Sequence, residues 1–221
     1  MPKIQSRSLH RHHAKHHHPG ADRHHDDHDH YGNPKDLAAY LTRLEGPERS
    51  KWQKPDAVVR ALEVRPGQTI AEIGAGPGYF TLRIAKAVGK KGRILAAEVE
   101  PKMIALLRDR LARKKVTNVT PILGLPNDPL FPEGLADQIL IINTFHHFPS
   151  GVAYLRGLKR FLKPKGRLIN IDFHARELQV GPPVGEKISR EAFINMAGKA
   201  GYAVVSEHSF LAYQYFLVLA A

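Results

Sequence analysis

Thr69-Ile70-Ala71-Glu72-Ile73-Gly74-Ala75-Gly76-Pro77-Gly78-Tyr79 is the stretch from which the rest of the chain can be read. A short apolar run closes on an acid, three glycines follow at alternate positions, and a helical pattern begins at once. That is a strand, a glycine turn and a helix, the opening unit of a nucleotide-binding α/β sheet. Glycine tolerates positive φ and lets a ligand lie against bare backbone. A dinucleotide fingerprint would require a further glycine at the position of Tyr79, which argues against a nicotinamide oxidoreductase.

Outward from this unit, short apolar runs alternate with helical patterns. A first helix over 34–44 carries Leu37, Tyr40, Leu41 and Leu44 at helical spacing and is broken by Gly46-Pro47. Pro55-Asp56 opens a second, which ends before Pro66-Gly67. Strands are expected at 69–73, 93–97, 119–123, 138–142 and 167–171, with helices at 79–88, from Pro101, at 152–162 and at 189–200. Lys163-Pro164-Lys165-Gly166 reads as a turn. This pattern of five βα units predicts a mostly parallel sheet with right-handed crossovers. Runs at 202–208 and 213–219 are joined too closely for a crossover and predict an antiparallel hairpin. The expectation is a seven-stranded, Rossmann-like, three-layer sandwich.

The glycine pattern E-x-G-x-G-x-G and the terminal hairpin resemble the class I S-adenosylmethionine-dependent methyltransferases, from about Lys35 to the C-terminus. The resemblance implies S-adenosylmethionine as cofactor and a site beyond the strand ends. Gly74, Ala75, Gly76, Pro77, Gly78 and Tyr79 would form the loop against its methionyl part, with Glu72 orienting loop and amino group. Glu98, closing the second strand, would accept hydrogen bonds from the ribose hydroxyls, and Val99 would flank the adenine. Many relatives carry Gly-Asp-Ala after the third strand. Here the run is Gly124-Leu125-Pro126-Asn127-Asp128, so the Leu125 backbone or the side chain of Asn127 or Asp128 would take over the adenine contact. Asn143 is expected at the cofactor's reactive end.

On the acceptor side, Asn143-Thr144-Phe145-His146-His147-Phe148 follows the fourth strand, and Asp172 and His174 end the fifth. Methyl transfer rests largely on alignment. A base is needed where the acceptor must lose a proton, and histidine suits neutral pH. His146 or His147, aided by Asp172, is the candidate base; the alternative is that one packs and the other caps the next helix. His174 and Gln53 are candidate substrate contacts. Asn143 with Asp172 also resembles the oxygen ligands of metal-dependent catechol O-methyltransferases, although one carboxylate is too few, and no metal is assigned to the folded domain. The Asn/Asp-Pro-Pro-aromatic motif of many amino-group methyltransferases is absent after the fourth strand.

Composition bounds the partners. Cysteine is absent, which removes disulfides, thiolate metal sites and cysteine nucleophiles. No apolar run approaches membrane-spanning length, and the expected location is the cytoplasm. The net charge is +12, concentrated in groups such as Arg113-Lys114-Lys115 and Lys163 with Lys165. Two readings stay open: solvated helix ends that complement the helix dipoles, or a surface for nucleic acid. Residues 1–33 form a low-complexity tail. Ten of the chain's fourteen histidines lie between His10 and His30, with Asp22, Asp26, Asp27 and Asp29 among them. The tail is too apolar-poor to fold alone. It would bind a divalent transition metal or remain an inert extension. Residues 34–221 are expected as one methyltransferase domain, with 34–66 as an N-terminal helical cap. A small-molecule acceptor is expected, with RNA or protein as the alternative.

Overall fold

A computed structural model describes residues 37–221; the histidine-rich tail lies outside the described residues. The elements are α1 (Leu37–Glu45), α2 (Pro47–Gln53), α3 (Pro55–Ala61), β1 (Thr69–Ile73), α4 (Thr81–Val88), β2 (Arg93–Glu98), α5 (Pro101–Arg113), β3 (Val119–Leu123), β4 (Ala136–Ile142), α6 (Gly151–Leu158), β5 (Leu162–Phe173), α7 (Arg190–Lys199), β6 (Ala203–His208) and β7 (Gln214–Ala220). They build one seven-stranded sheet in the order β3-β2-β1-β4-β5-β7-β6. Strands β1 to β5 pair in parallel, and β7 runs antiparallel to both β5 and β6.

The central strands are apolar on both faces because both are covered. Along β4, Ile139 and Ile141 join a core with Tyr154, Leu155 and Leu158 of α6 and Phe193 of α7. Leu140 and Ile142 point the other way, into a core with Val58 of α3, Ile84 and Val88 of α4, and Leu107 and Leu111 of α5. The three layers follow from this alternation.

Three local expectations change. The chain has four βα units rather than five, because 124–135 crosses from β3 to β4 without a helix. Pro126, Pro129 and Pro132 each remove a backbone donor and so exclude one. Phe131 plugs that loop instead, buried edge-on against Phe161 at 5.7 Å. Gly46-Pro47 does not simply break a helix: Pro47 is the first residue of α2, where the missing N–H costs nothing. Left-handed Lys54 (φ 47) ends α2, and Pro55 starts α3 in the same way. Finally, β5 runs through Lys163-Pro164-Lys165-Gly166 rather than starting after it. Leu162 pairs with Ala136 across a register shift, an irregularity that accommodates a proline. Asp137 fastens this end of the sheet, its Oδ2 accepting from Thr69 N and from Lys163 Nζ, both at 2.8 Å.

Gly78 closes the loop between β1 and α4. Its φ is +92°, and a Cβ there would lie 2.6 Å from Leu107 Cδ1. Its hydrogen therefore lets α4 and α5 approach. Gly78→Ala should lower stability by about 1–3 kcal/mol through strain and overpacking, read as a reduced midpoint in urea unfolding; an unchanged midpoint would contradict this packing role.

Candidate functional site

A cavity opens beyond the carboxyl ends of β1, β2 and β4, with walls from the glycine loop, the segment after β3 and the helical cap. Gly74, Ala75, Gly76, Pro77, Tyr79, Glu72, Glu98, Val99, Leu125 and Asn143 all line it, together with Leu44, Arg49, Met103, Thr144, His147, Phe148 and Tyr154. Backbone bonds pin the loop. Gly74 N and Ala75 N donate to Ala97 O at 2.9 and 3.1 Å. Gly76 N donates to Glu98 Oε2 at 2.8 Å, while Glu98 Oε1 accepts from Val99 N at 2.8 Å and Glu100 N at 3.1 Å. Burial pushes the Glu98 carboxyl up, and these N–H groups pull it back.

Two glycines of the loop do different work. A Cβ on Gly74 would overlap Thr144, so the loop lies directly against the end of β4. A Cβ on Gly76 would meet nothing within 4 Å, and its backbone borders open cavity.

Glu72 is 3% exposed and accepts from Thr81 Oγ1 at 2.6 Å. Burial pushes its carboxyl up to about 7; the Thr81 hydrogen bond and the Arg49 charge act in the opposite direction. Arg49, from α2, is a group that sequence reasoning missed. Its guanidinium sits 4.0 Å over the Tyr79 ring, Nη1 donates to Leu44 O at 2.8 Å and Nε to Gln53 Oε1 at 2.6 Å. Ser50 Oγ meets Tyr79 OH at 2.9 Å, a second tie between α2 and the loop. The signal available in the sequence was the i, i+4 spacing of Arg49 and Gln53, which becomes informative only once Pro47 is read as a helix start.

The histidine pair is divided by a single 3₁₀ turn over Phe145–His147. His147 reaches the cavity wall. His146 turns inward, its Nδ1 2.9 and 3.1 Å from the two oxygens of Asp172, with side chains 5% and 2% exposed. The two imidazoles lie 4.2 Å apart. Asp172 also accepts from Phe173 N at 2.8 Å. His146 and Asp172 thus stand one layer behind His147.

Other candidates lie off this wall. Gly78 packs on α5, as above. Asn127 borders a surface groove with Pro126, Asp128 and Ser150. Gln53 is fully buried, and its Nε2 donates to Gln214 Oε1 at 3.3 Å. His174 stands 6.1 Å from the Tyr215 ring, its pKa held down by burial and then by Arg176. Trp52 packs on Phe173 and Tyr213, with centroids 5.7 and 6.4 Å away.

The donor set fits S-adenosylmethionine. Arg49 would supply a cation for a carboxylate, Glu72 an acceptor for an amino group, and Glu98 an acceptor for vicinal hydroxyls. Val99, Met103 and Leu125 supply an apolar slot for a base, and the open space at Gly76 admits the chain between them.

The raised carboxyl has a measurable consequence. An unfolded Glu72 ionises near its ordinary value and the folded one only near 7. Between those pH values the folded state binds more protons, so stability falls as pH rises and levels off above. Glu72→Gln should remove about 3 kcal/mol or less of that loss. Urea unfolding of the ligand-free protein at mildly acidic and mildly alkaline pH reads it, and identical pH slopes in both proteins would refute the assignment.

Residues 70–166 match a family model described as a methyltransferase domain. Among curated proteins, the chain is 33% identical over 110 residues to the ubiquinone/menaquinone biosynthesis C-methyltransferase UbiE of Vibrio cholerae, covering 49% of this chain and 42% of that one. It is 30% identical over 140 residues to the UbiE of Ectopseudomonas mendocina, covering 62% and 53%. The chain spans about half the length of the curated relatives it matches. Its fold is similar to the crystal structure of a SAM-dependent methyltransferase from Aquifex aeolicus, with a TM-score of 0.78 and 25% identity over 82% of this chain and 96% of that one. Strand order, glycine cradle and these likenesses agree: the chain carries a match to a methyltransferase domain over 70–166 and is similar to S-adenosylmethionine-dependent methyltransferases.

Proposed function

We propose that this chain is an enzyme that moves a methyl group from S-adenosylmethionine to a small-molecule acceptor. The observation that carries the reading is the shared cavity: the glycine loop, Glu72, Glu98 and Arg49 form one side, and Asn143, Thr144 and His147 meet it at the end of β4. S-adenosylmethionine supplies an electrophilic methyl group on a sulfonium. The protein's share is to align donor and acceptor, exclude water and take a proton where the acceptor has one to lose. The last task falls to His147, whose position on the cavity wall supports this reading. Asp172 is bonded to His146, whose ring lies against that of His147. Residues 37–66 act as the cap, since α2 brings Arg49 to the cavity wall. Carbon methylation, named in the relatives' descriptions, is compatible with this arrangement, because an ionised ring hydroxyl activates its neighbouring carbon.

The positive charge does not favour a nucleic acid acceptor. Lys90, Lys91 and Arg93 lie at the start of β2, Lys114 and Lys115 before β3, and Lys165 and Arg167 in the first half of β5, at the sheet end opposite the cavity. A polyanion held there would not bring its bases to the donor. Among the described residues, no helix is long and apolar enough to cross a membrane.

Two substitutions separate the sides of the site. Glu98→Ala should weaken binding of S-adenosylhomocysteine by about 1–3 kcal/mol in calorimetric titration, through loss of hydrogen bonds to a charged group. His147→Gln should leave that affinity unchanged and lower turnover of an acceptor at least about a hundredfold. Unchanged affinity in the first variant or unchanged turnover in the second would overturn the role concerned.

A further inference from the structure

A chain of buried amides runs from the donor side of the cavity to the acceptor side. Arg49 Nε donates to Gln53 Oε1 at 2.6 Å, Gln53 Nε2 donates to Gln214 Oε1 at 3.3 Å, and Gln214 Nε2 donates to Asn143 Oδ1. Gln53 is 0% and Gln214 1% exposed. The four residues come from α2, β7 and the end of β4, so tertiary contact alone brings them together.

The direction of the chain is forced. A guanidinium has donors and no acceptor, so Gln53 must turn its oxygen toward Arg49. Its nitrogen then faces Gln214, which must answer with oxygen, and the Gln214 nitrogen in turn takes the Asn143 oxygen. Each amide is oriented by the one before it, with the dipoles head to tail, an arrangement that strengthens every link. Asn143 is also fixed through its backbone: its φ is 56°, and its N donates to Ile171 O at 2.8 Å. With Oδ1 turned to Gln214, the Nδ2 hydrogens are directed away from it, and they have no protein acceptor among the described residues. Asn143 lines the cavity beside Thr144 and His147.

We infer that Arg49, Gln53 and Gln214 are positioning residues that hold Asn143 as a hydrogen-bond donor toward the methyl acceptor, so that the site selects an ionisable hydroxyl, phenolic or enolic, over an amine. This rests on the methyltransferase reading above and specifies its acceptor. An amine would present its own hydrogens to the Asn143 hydrogens, and a buried mismatch of that kind weakens binding sharply. A hydroxylate receives one or both of them.

The relay can be reversed without touching the cavity wall. In Gln53→Glu, a carboxylate accepts from both Arg49 and Gln214. Gln214 must then turn its nitrogen to position 53 and its oxygen to Asn143, which turns its own nitrogen inward and shows Oδ1 to the cavity. The probes are para-nitrophenolate and para-nitroaniline, nearly equal in shape, titrated by absorbance into protein saturated with S-adenosylhomocysteine. In the unaltered chain the phenolate should bind about tenfold tighter or more. In Gln53→Glu, again in protein saturated with S-adenosylhomocysteine, the preference should fall to parity or invert. Asn143→Asp, which keeps the bond from Gln214 and presents a second oxygen, should do the same and serves if Gln53→Glu does not fold. A role confined to holding the cap would alter thermal stability and leave the ratio of the two probes where it was. Equal binding of the probes to the unaltered chain, no binding of the phenolate, or a preference that survives both substitutions would overturn the inference. Failure of S-adenosylhomocysteine itself to bind would instead overturn the methyltransferase reading.

Discussion

The Glu98 carboxylate on three backbone N–H groups is the constraint from which the site is organised. It takes Gly76 N on one oxygen and Val99 N and Glu100 N on the other. A buried carboxylate without donors would be strongly disfavoured. Here the donors come from two separate loops, and meeting the carboxylate's need draws those loops together at the end of β2. The glycine loop is thereby held open at Gly76 and pressed against Thr144 at Gly74. The same arrangement leaves the carboxylate at the rim of the cavity, where it can also serve a ligand.

A second buried charge sets the character of the donor end. Glu72 lies deep enough to be raised to about 7, and the cation opposing this comes from outside the sheet, on α2. Arg49 is held by the Tyr79 ring, the Leu44 carbonyl and Gln53. The cap is therefore more than a cover. It delivers a positive charge to a cavity whose wall carries the carboxyl groups of Glu72, Glu98 and Glu100, and through Gln53 and Gln214 it orients a residue on the far side.

The strand-turn-helix unit, the hairpin and the sheet class were legible from local pattern, because glycine spacing and apolar periodicity are local signals. Glu72 and Glu98 were legible because they end strands beside the glycine turn. What escaped depends on contacts between distant segments. Arg49 gains meaning only when α2 folds back over Tyr79. Nothing in two adjacent histidines tells which will face Asp172; the 3₁₀ turn decides, and it sends His146 inward and His147 outward. The β3-to-β4 crossover lacks its helix because three prolines outweigh the alternation seen elsewhere. Gln53, a candidate substrate contact by sequence, is sealed by the fold between Arg49 and Gln214.

The central claim is that this cavity is a donor site for S-adenosylmethionine. Calorimetric titration of the protein with S-adenosylmethionine, S-adenosylhomocysteine and NAD⁺ tests it most directly. The account predicts saturable one-to-one binding of the first two, in the micromolar range, and none of the third. Binding of NAD⁺ in preference to the sulfonium pair, or no binding of either sulfur compound, would contradict it.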